Sequence, residues 1–172
     1  MSVHRKNIMV KTAQRYVDAG TFSGIEWQVQ HRGALCQSGS VGHAGCDSSA
    51  PIPNQAIYRI YSMTKPIVAA MAVILLQENR LHLFDPVAKF ISEFKDSSIL
   101  HSNGTREKAT VPITIEHLLT HRAGLSYDFL PDCPVGALYR EARLAEDGGR
   151  SLTDFVNDLA AMPLAFNPGS RW

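Results

Sequence analysis

Between Ser62 and Asn79 the chain carries one charge, Lys65, before Glu78, and its apolar residues cover every face of a helix rather than one stripe. A helix of that kind is expected where protein surrounds it on all sides. Its longest unbroken apolar run, Ile67 to Leu76, is about half of what a bilayer-spanning helix needs, so no transmembrane segment is expected. The 172 residues, 45% of them hydrophobic and 19% charged, fit one domain of common size that buries a core without staples. A formal charge of +1 gives no long-range field for phosphate backbones or anionic lipid, so neither nucleic acid nor membrane is expected as a partner.

Around this helix the chain changes period several times. Residues 7–19 place Ile8, Met9, Ala13, Tyr16 and Val17 near one helical stripe, and Gly20 follows as a stop. From Ile25 the period is two, with Ile25, Trp27 and Val29 alternating with Glu26, Gln28 and Gln30, the pattern of a half-buried strand. His31-Arg32-Gly33 reads as a turn into a returning strand over 34–41, and Asp47 to Pro53 as a Ser/Pro-rich loop. Pro86 to about Phe94 reads as a short helix, followed by a polar, mobile loop from Lys95 to Thr110. Thr114 is placed to cap a helix ended by Gly124 in the left-handed conformation, and Ser151 with Asp154 to open a helix reaching about Ala161. Nothing after Val41 reads as a further strand. Either several helices shelter an isolated hairpin, or the remaining strands lie in sequence outside this chain.

Ser62-Met63-Thr64-Lys65 has the S-x-x-K form of β-lactamases and penicillin-binding proteins. Alone it says little: with 14 serines and 6 lysines, chance supplies about half a match, and Ser92-Glu93-Phe94-Lys95 is a second one. Context separates the two. At i and i+3 on a helix Lys65 reaches the Ser62 hydroxyl, and burial of its ammonium favours the neutral amine, which can take the serine proton. The helix N-terminus adds a positive dipole end for a developing oxyanion, and Pro66 fits a first turn. The alternative is that Ser62 only caps the helix while Lys65 reaches out to water.

Tyr58-Arg59-Ile60-Tyr61-Ser62-Met63-Thr64-Lys65-Pro66, Leu83 to Val87, Ile113 to His121, Ala123-Gly124-Leu125 and Pro168-Gly169-Ser170-Arg171-Trp172 together resemble the serine β-lactamase-related family of class C β-lactamases, D,D-peptidases and esterases. The resemblance implies an α+β, β-lactamase/transpeptidase-like fold: an antiparallel sheet flanked by helices, plus a helical domain. It implies that Ser62 is the acylated nucleophile and Lys65 its base partner. Members of the family continue past the Pro-Gly…Trp segment into a Tyr-x-Asn-like or Tyr-Ser motif and later a Lys/His-x-Gly strand, both of which would fall beyond Trp172. The chain is therefore expected to hold only the first part of such an enzyme. Residues 1–58 would be the first helix and hairpin of the sheet domain, and 59–172 the nucleophile helix and helical domain, with the remaining C-terminal polypeptide as partner.

The function expected on this basis is hydrolysis of a small-molecule ester or lactam through an acyl-enzyme, with no cofactor or metal. The reading from another class is a non-catalytic penicillin-binding-like or interaction protein that keeps the fold. The charged N-terminus lacks the apolar stretch of a signal peptide, and Cys36, Cys46 and Cys133 form no Cys-x-x-Cys pair and read as reduced packing residues, so a cytoplasmic location is expected. His117 and His121 have the spacing of two helical zinc ligands but lack the accompanying glutamate of His-Glu-x-x-His, and read instead as histidines near a helix C-terminus. Trp27 and Trp172 read as packing residues, Tyr127 and Asp128 as a solvated loop or the border of a cleft, and Arg140, Arg143 and Arg150 as a solvated face.

Overall fold

The computed structural model describes residues 3–146 and 148–172, with the side chains of residues 3–7 outside the description. The chain divides into two compact units, one ending at Ile60 and the other running from Tyr61 to Trp172.

In the first unit α1 (Val3–Asp18) is followed by Gly20 at φ 70, then by β1 (Gly24–His31) and β2 (Ala34–Gly42), an antiparallel pair. Arg32 and Gly33, at φ 49 and 79, form the two-residue turn whose twist matches the flanking strands. Along β1 the half-buried residues Ile25, Trp27 and Val29 alternate with exposed ones, as the period of two requires. Val29 faces Gln37 while Gln30 faces Leu35, which makes Cys36 the extra residue of a bulge. The Tyr58 hydroxyl donates to Glu26 Oε2 at 2.8 Å, tying the end of the unit to β1, and this bond holds the phenol above its ordinary range.

The second unit begins with a 3-10 turn, Tyr61–Met63, leading into α2 (Thr64–Gln77). No residue of α2 is buried; Ile67, Met71 and Ile74, which share a face, are 54, 60 and 53% exposed. This corrects the expectation of burial on all sides. An all-round apolar helix states what its surface requires, and the described residues do not supply the surrounding layers. In place of the helix expected after Pro86 stand two 3-10 turns, Val87–Lys89 and Ser92–Phe94.

The polar stretch from Lys95 to Thr110, expected to be a loop, contains a second hairpin: β3 (Ser98–Leu100) pairs antiparallel with β4 (Arg106–Lys108) around a turn with Gly104 at φ 82. Leu164 docks beside β3, its N–H donating to Ser98 O at 2.7 Å and its carbonyl accepting from Leu100 N at 2.9 Å. Ile99 and Leu164 are 2% and 1% exposed and centre a core with Val87, Phe94, Ile113 and Ala123. Three-residue strands are too short to show a period, and the partner that secures them is some sixty residues away, so the sequence signal was absent.

α3 (Ile115–Leu119) is capped by Thr114 as expected, but it ends before Gly124: Thr120 is its C-cap, and His121, at φ 57, takes the left-handed position. Gly124 turns the chain further on, where a Cβ would meet Phe166 O at 2.4 Å. α4 (Pro134–Glu141) was not anticipated, although Pro134 occupies the favoured first turn and Val135 and Tyr139 stand at i and i+4. With Leu144 they form a second small core. α5 (Leu152–Ala160) opens at Ser151, whose Oγ accepts from Asp154 N. Among the described residues no helix is long and apolar enough to cross a membrane.

Candidate active site

Ser62 lies in the 3-10 turn one residue before the N-cap of α2, and Lys65 is the second residue of the helix. This geometry brings the two together: Lys65 Nζ donates to Ser62 Oγ at 3.1 Å. The capping alternative does not describe it, since the N-cap is Met63 and makes no side-chain capping bond. Tyr61, immediately before the serine, is held at φ 43, an unusual backbone conformation for a bulky side chain. The first amides of α2 have no acceptor within the helix, and Pro66 brings no N–H to leave unpaired. Ser62 and Lys65 are both exposed, which removes the burial on which the desolvation argument for Lys65 rested.

The wall facing Lys65 comes from the loop after Gly124. Lys65 Nζ sits 6.0 Å from the centre of the Tyr127 ring, and that ring stacks on Phe129 with centroids 4.8 Å apart and 24° between planes. The loop is pinned from below: Arg140 of α4 donates to the carbonyls of Asp128 and Leu130, and Ser126 Oγ lies 3.1 Å from Cys133 Sγ. Ser126 N donates to the hydroxyl of Tyr139, whose phenol is pushed up by burial. Arg140, expected on a solvated face, thus has a structural task, whereas Arg143 and Arg150 make exposed-surface pairs with Glu146 and Asp158.

Lys65, Tyr127, Phe129, Leu144, Phe155 and Trp172 are among the residues lining a cavity of about 1080 Å³ that is open to solvent; Trp172, read from sequence as a packing residue, is 86% exposed. Tyr127 and Asp128, read from sequence as either solvated or bordering a cleft, line it. Leu144 and Phe155 escaped the sequence reading because only the fold turns α4 and α5 toward the loop. The second S-x-x-K match has no such setting: Ser92 Oγ donates to Glu93 Oε2 at 3.1 Å, and Lys95, unlike Lys65, does not line this cavity.

The two histidines separate. His117 Nδ1 accepts from Thr114 N at 3.2 Å while its own N–H donates to Thr114 Oγ1, a reciprocal cap made with an imidazole where a glutamate or glutamine is usual. His121 lies past the helix end, so the pair shares no helical face. Among the described residues no three His, Cys, Asp or Glu gather as a metal site would need. Beside His117 runs the turn at Gly169, φ 81, where a Cβ would lie 2.8 Å from the imidazole Nε2. Arg122 clasps that glycine from both sides, donating to its carbonyl and accepting from its N–H at 2.8 Å. Cys46, read as a packing residue, is exposed; all three cysteines are free.

The sequence matches the β-lactamase family over residues 9–172, and the chain belongs to that family. Protein Rv1367c of Mycobacterium tuberculosis is 33% identical over 158 residues, 90% of this chain and 38% of the relative. Esterase EstB of Burkholderia gladioli is 34% identical over 149 residues, 84% of this chain and 35% of the relative. Among solved structures, EstCE1, a hydrolase with promiscuous acyltransferase activity, superposes with a TM-score of 0.74 at 27% identity, covering 93% of this chain and 40% of that one. Simvastatin synthase LovD of Aspergillus terreus, at 22% identity and a TM-score of 0.67, shares the fold. The fold is β-lactamase/transpeptidase-like, and the chain spans less than half the length of the relatives it matches.

Proposed function

We propose that this chain carries the nucleophile of a serine hydrolase that works through an acyl-enzyme on an ester or amide. The observation that carries the reading is the 3.1 Å contact between Lys65 Nζ and Ser62 Oγ beside a large cavity, and kinship with an esterase supports it. In the reaction Ser62 Oγ bonds to the substrate carbonyl carbon as its proton passes to a neutral Lys65 amine. The hydrogen bond seen here then runs the other way, from hydroxyl to amine. The Ser62 N–H contributes to oxyanion stabilisation, aided by the dipole of α2. Collapse breaks the carbonyl carbon to leaving-group bond, and Lys65 returns the proton to the departing alcohol or amine. Water then releases the acid by the same steps in reverse order.

The remaining C-terminal polypeptide of the same enzyme completes the site in this proposal. Two observations support that partner: the exposed apolar face of α2 and the share of each relative that the chain spans. The free thiols suit a reducing, cytoplasmic compartment. The test is active-site labelling of the active protein with a fluorophosphonate or a β-lactam, followed by peptide mapping. The adduct is expected on Ser62 and absent from Ser92. An adduct on Ser92, or none on Ser62 in protein that turns over, overturns the proposal.

A further inference from the structure

The cavity is far larger than the reacting atoms need. Its volume of about 1080 Å³ lies just above the range for small-molecule sites, ~300–1,000 Å³. An acetyl group and its leaving alcohol would leave most of it empty. Its walls carry Leu118, Leu125, Phe129, Leu144, Phe155 and Leu159, from the α3 end, the loop after Gly124, the turn after α4, and α5. The aromatic part of this wall is fixed, because Phe129 is stacked on Tyr127 and Arg140 holds the backbone on both sides of it, at Asp128 and Leu130. Lys65, whose Nζ lies 3.1 Å from Ser62 Oγ, is one of the residues lining the cavity, so a chain attached to Ser62 Oγ starts beside it.

From this we infer that the substrate's acyl group is a long or bulky apolar one, held in this cavity. The inference rests on the reading of Ser62 as the acylated nucleophile. The acyl group is the part that stays on the serine through both halves of the reaction. Burying it keeps it ordered while alcohol leaves and water enters. A straight chain in an apolar cavity gains about 0.8 kcal/mol for each buried methylene. That energy is close to a fourfold change in affinity.

The probe is a series of straight-chain alkyl methyl ketones from four to ten carbons, unreactive stand-ins for acyl chain and carbonyl, titrated by calorimetry into the protein. Dissociation constants are expected to tighten about fourfold per methylene. Ala145→Trp, an exposed cavity-lining position, is expected to weaken binding of the ten-carbon ketone about tenfold and to flatten the series. Phe129→Ala removes a wall at a position 70% exposed, where folding tolerates truncation, and is expected to shallow the dependence on chain length about twofold per methylene. Affinity independent of chain length, or a steep series untouched by both substitutions, overturns the inference. The underlying reading fails separately: a steep series in protein whose Ser62 resists labelling keeps the cavity and removes the nucleophile, whereas labelled Ser62 with a flat series does the opposite.

Discussion

Helix α2 and the core around Ile99 belong to the same unit and are built in opposite ways. α2 is apolar on every face and buries none of its residues. The Ile99 core is assembled from short, mostly polar segments, yet it is sealed, and backbone hydrogen bonds cross between β3 and the Leu164 segment. The candidate chemistry stands at the head of the first, and Ala123 of the second lines the cavity. Among the described residues the Ile99 core has its packing neighbours, and the element presenting the serine does not.

The strongest way to sharpen that contrast is Lys65→Arg. A guanidinium stays protonated and cannot take the serine proton, so acylation should slow by about a hundredfold or more, the usual share of a general base. Because Lys65 is exposed, the melting curve should barely move. Near-normal fluorophosphonate kinetics in the variant would remove Lys65 from the mechanism. Next comes Ile99→Ala, which should cost about 2–5 kcal/mol in urea unfolding, set against Ile74→Ser on α2, expected within about 0.5 kcal/mol. Equal costs at the two positions would break the comparison, because they would show α2 covered in solution.

Thr114→Ala tests the cap of α3 at smaller scale. Losing the bond that Thr114 Oγ1 accepts from the His117 backbone N–H should cost about 1 kcal/mol, measured in the same unfolding experiment. The smallest effect concerns acid. The Asp85 carboxyl is held below its ordinary range chiefly by hydrogen bonds from Lys89 Nζ, two at 3.0 Å, and also by the His82 N–H. A lowered folded value stabilises the protein above the unfolded value of about 3.9 and loses that contribution as pH falls through the folded one. Melts of Asp85→Asn between pH 2 and 6 should therefore show a shallower acid slope than the parent. An unchanged slope would show that the Lys89 pair contributes nothing in solution.

Where a single segment held the information, the sequence was readable in most places, α4 and the turns after Pro86 being the exceptions. The first hairpin declared itself through alternation at Ile25, Trp27 and Val29 and through the Arg32-Gly33 turn. The caps at Thr114 and Ser151 follow from side chains that bond within three residues. Ser62 and Lys65 could be paired because helical spacing is local. What escaped depends on distant partners: β3 and β4 exist because Leu164 docks on Ile99, and Phe155 faces the cavity because α5 packs where it does. Exposure of α2 lay outside the sequence signal for the complementary reason, since composition specifies a demand for neighbours and not their presence.

Tyr61 carries a consequence for anyone trying to improve this protein. An aromatic residue at φ 43 stores a backbone cost of order 1–3 kcal/mol directly before the serine. Glycine there would release that cost and would also loosen the backbone directly before Ser62. A library selected for heat resistance should drift toward glycine or asparagine at this position, and a library selected for acylation should hold the tyrosine. Thermal hardiness and the placement of the serine are then traded at a single backbone position.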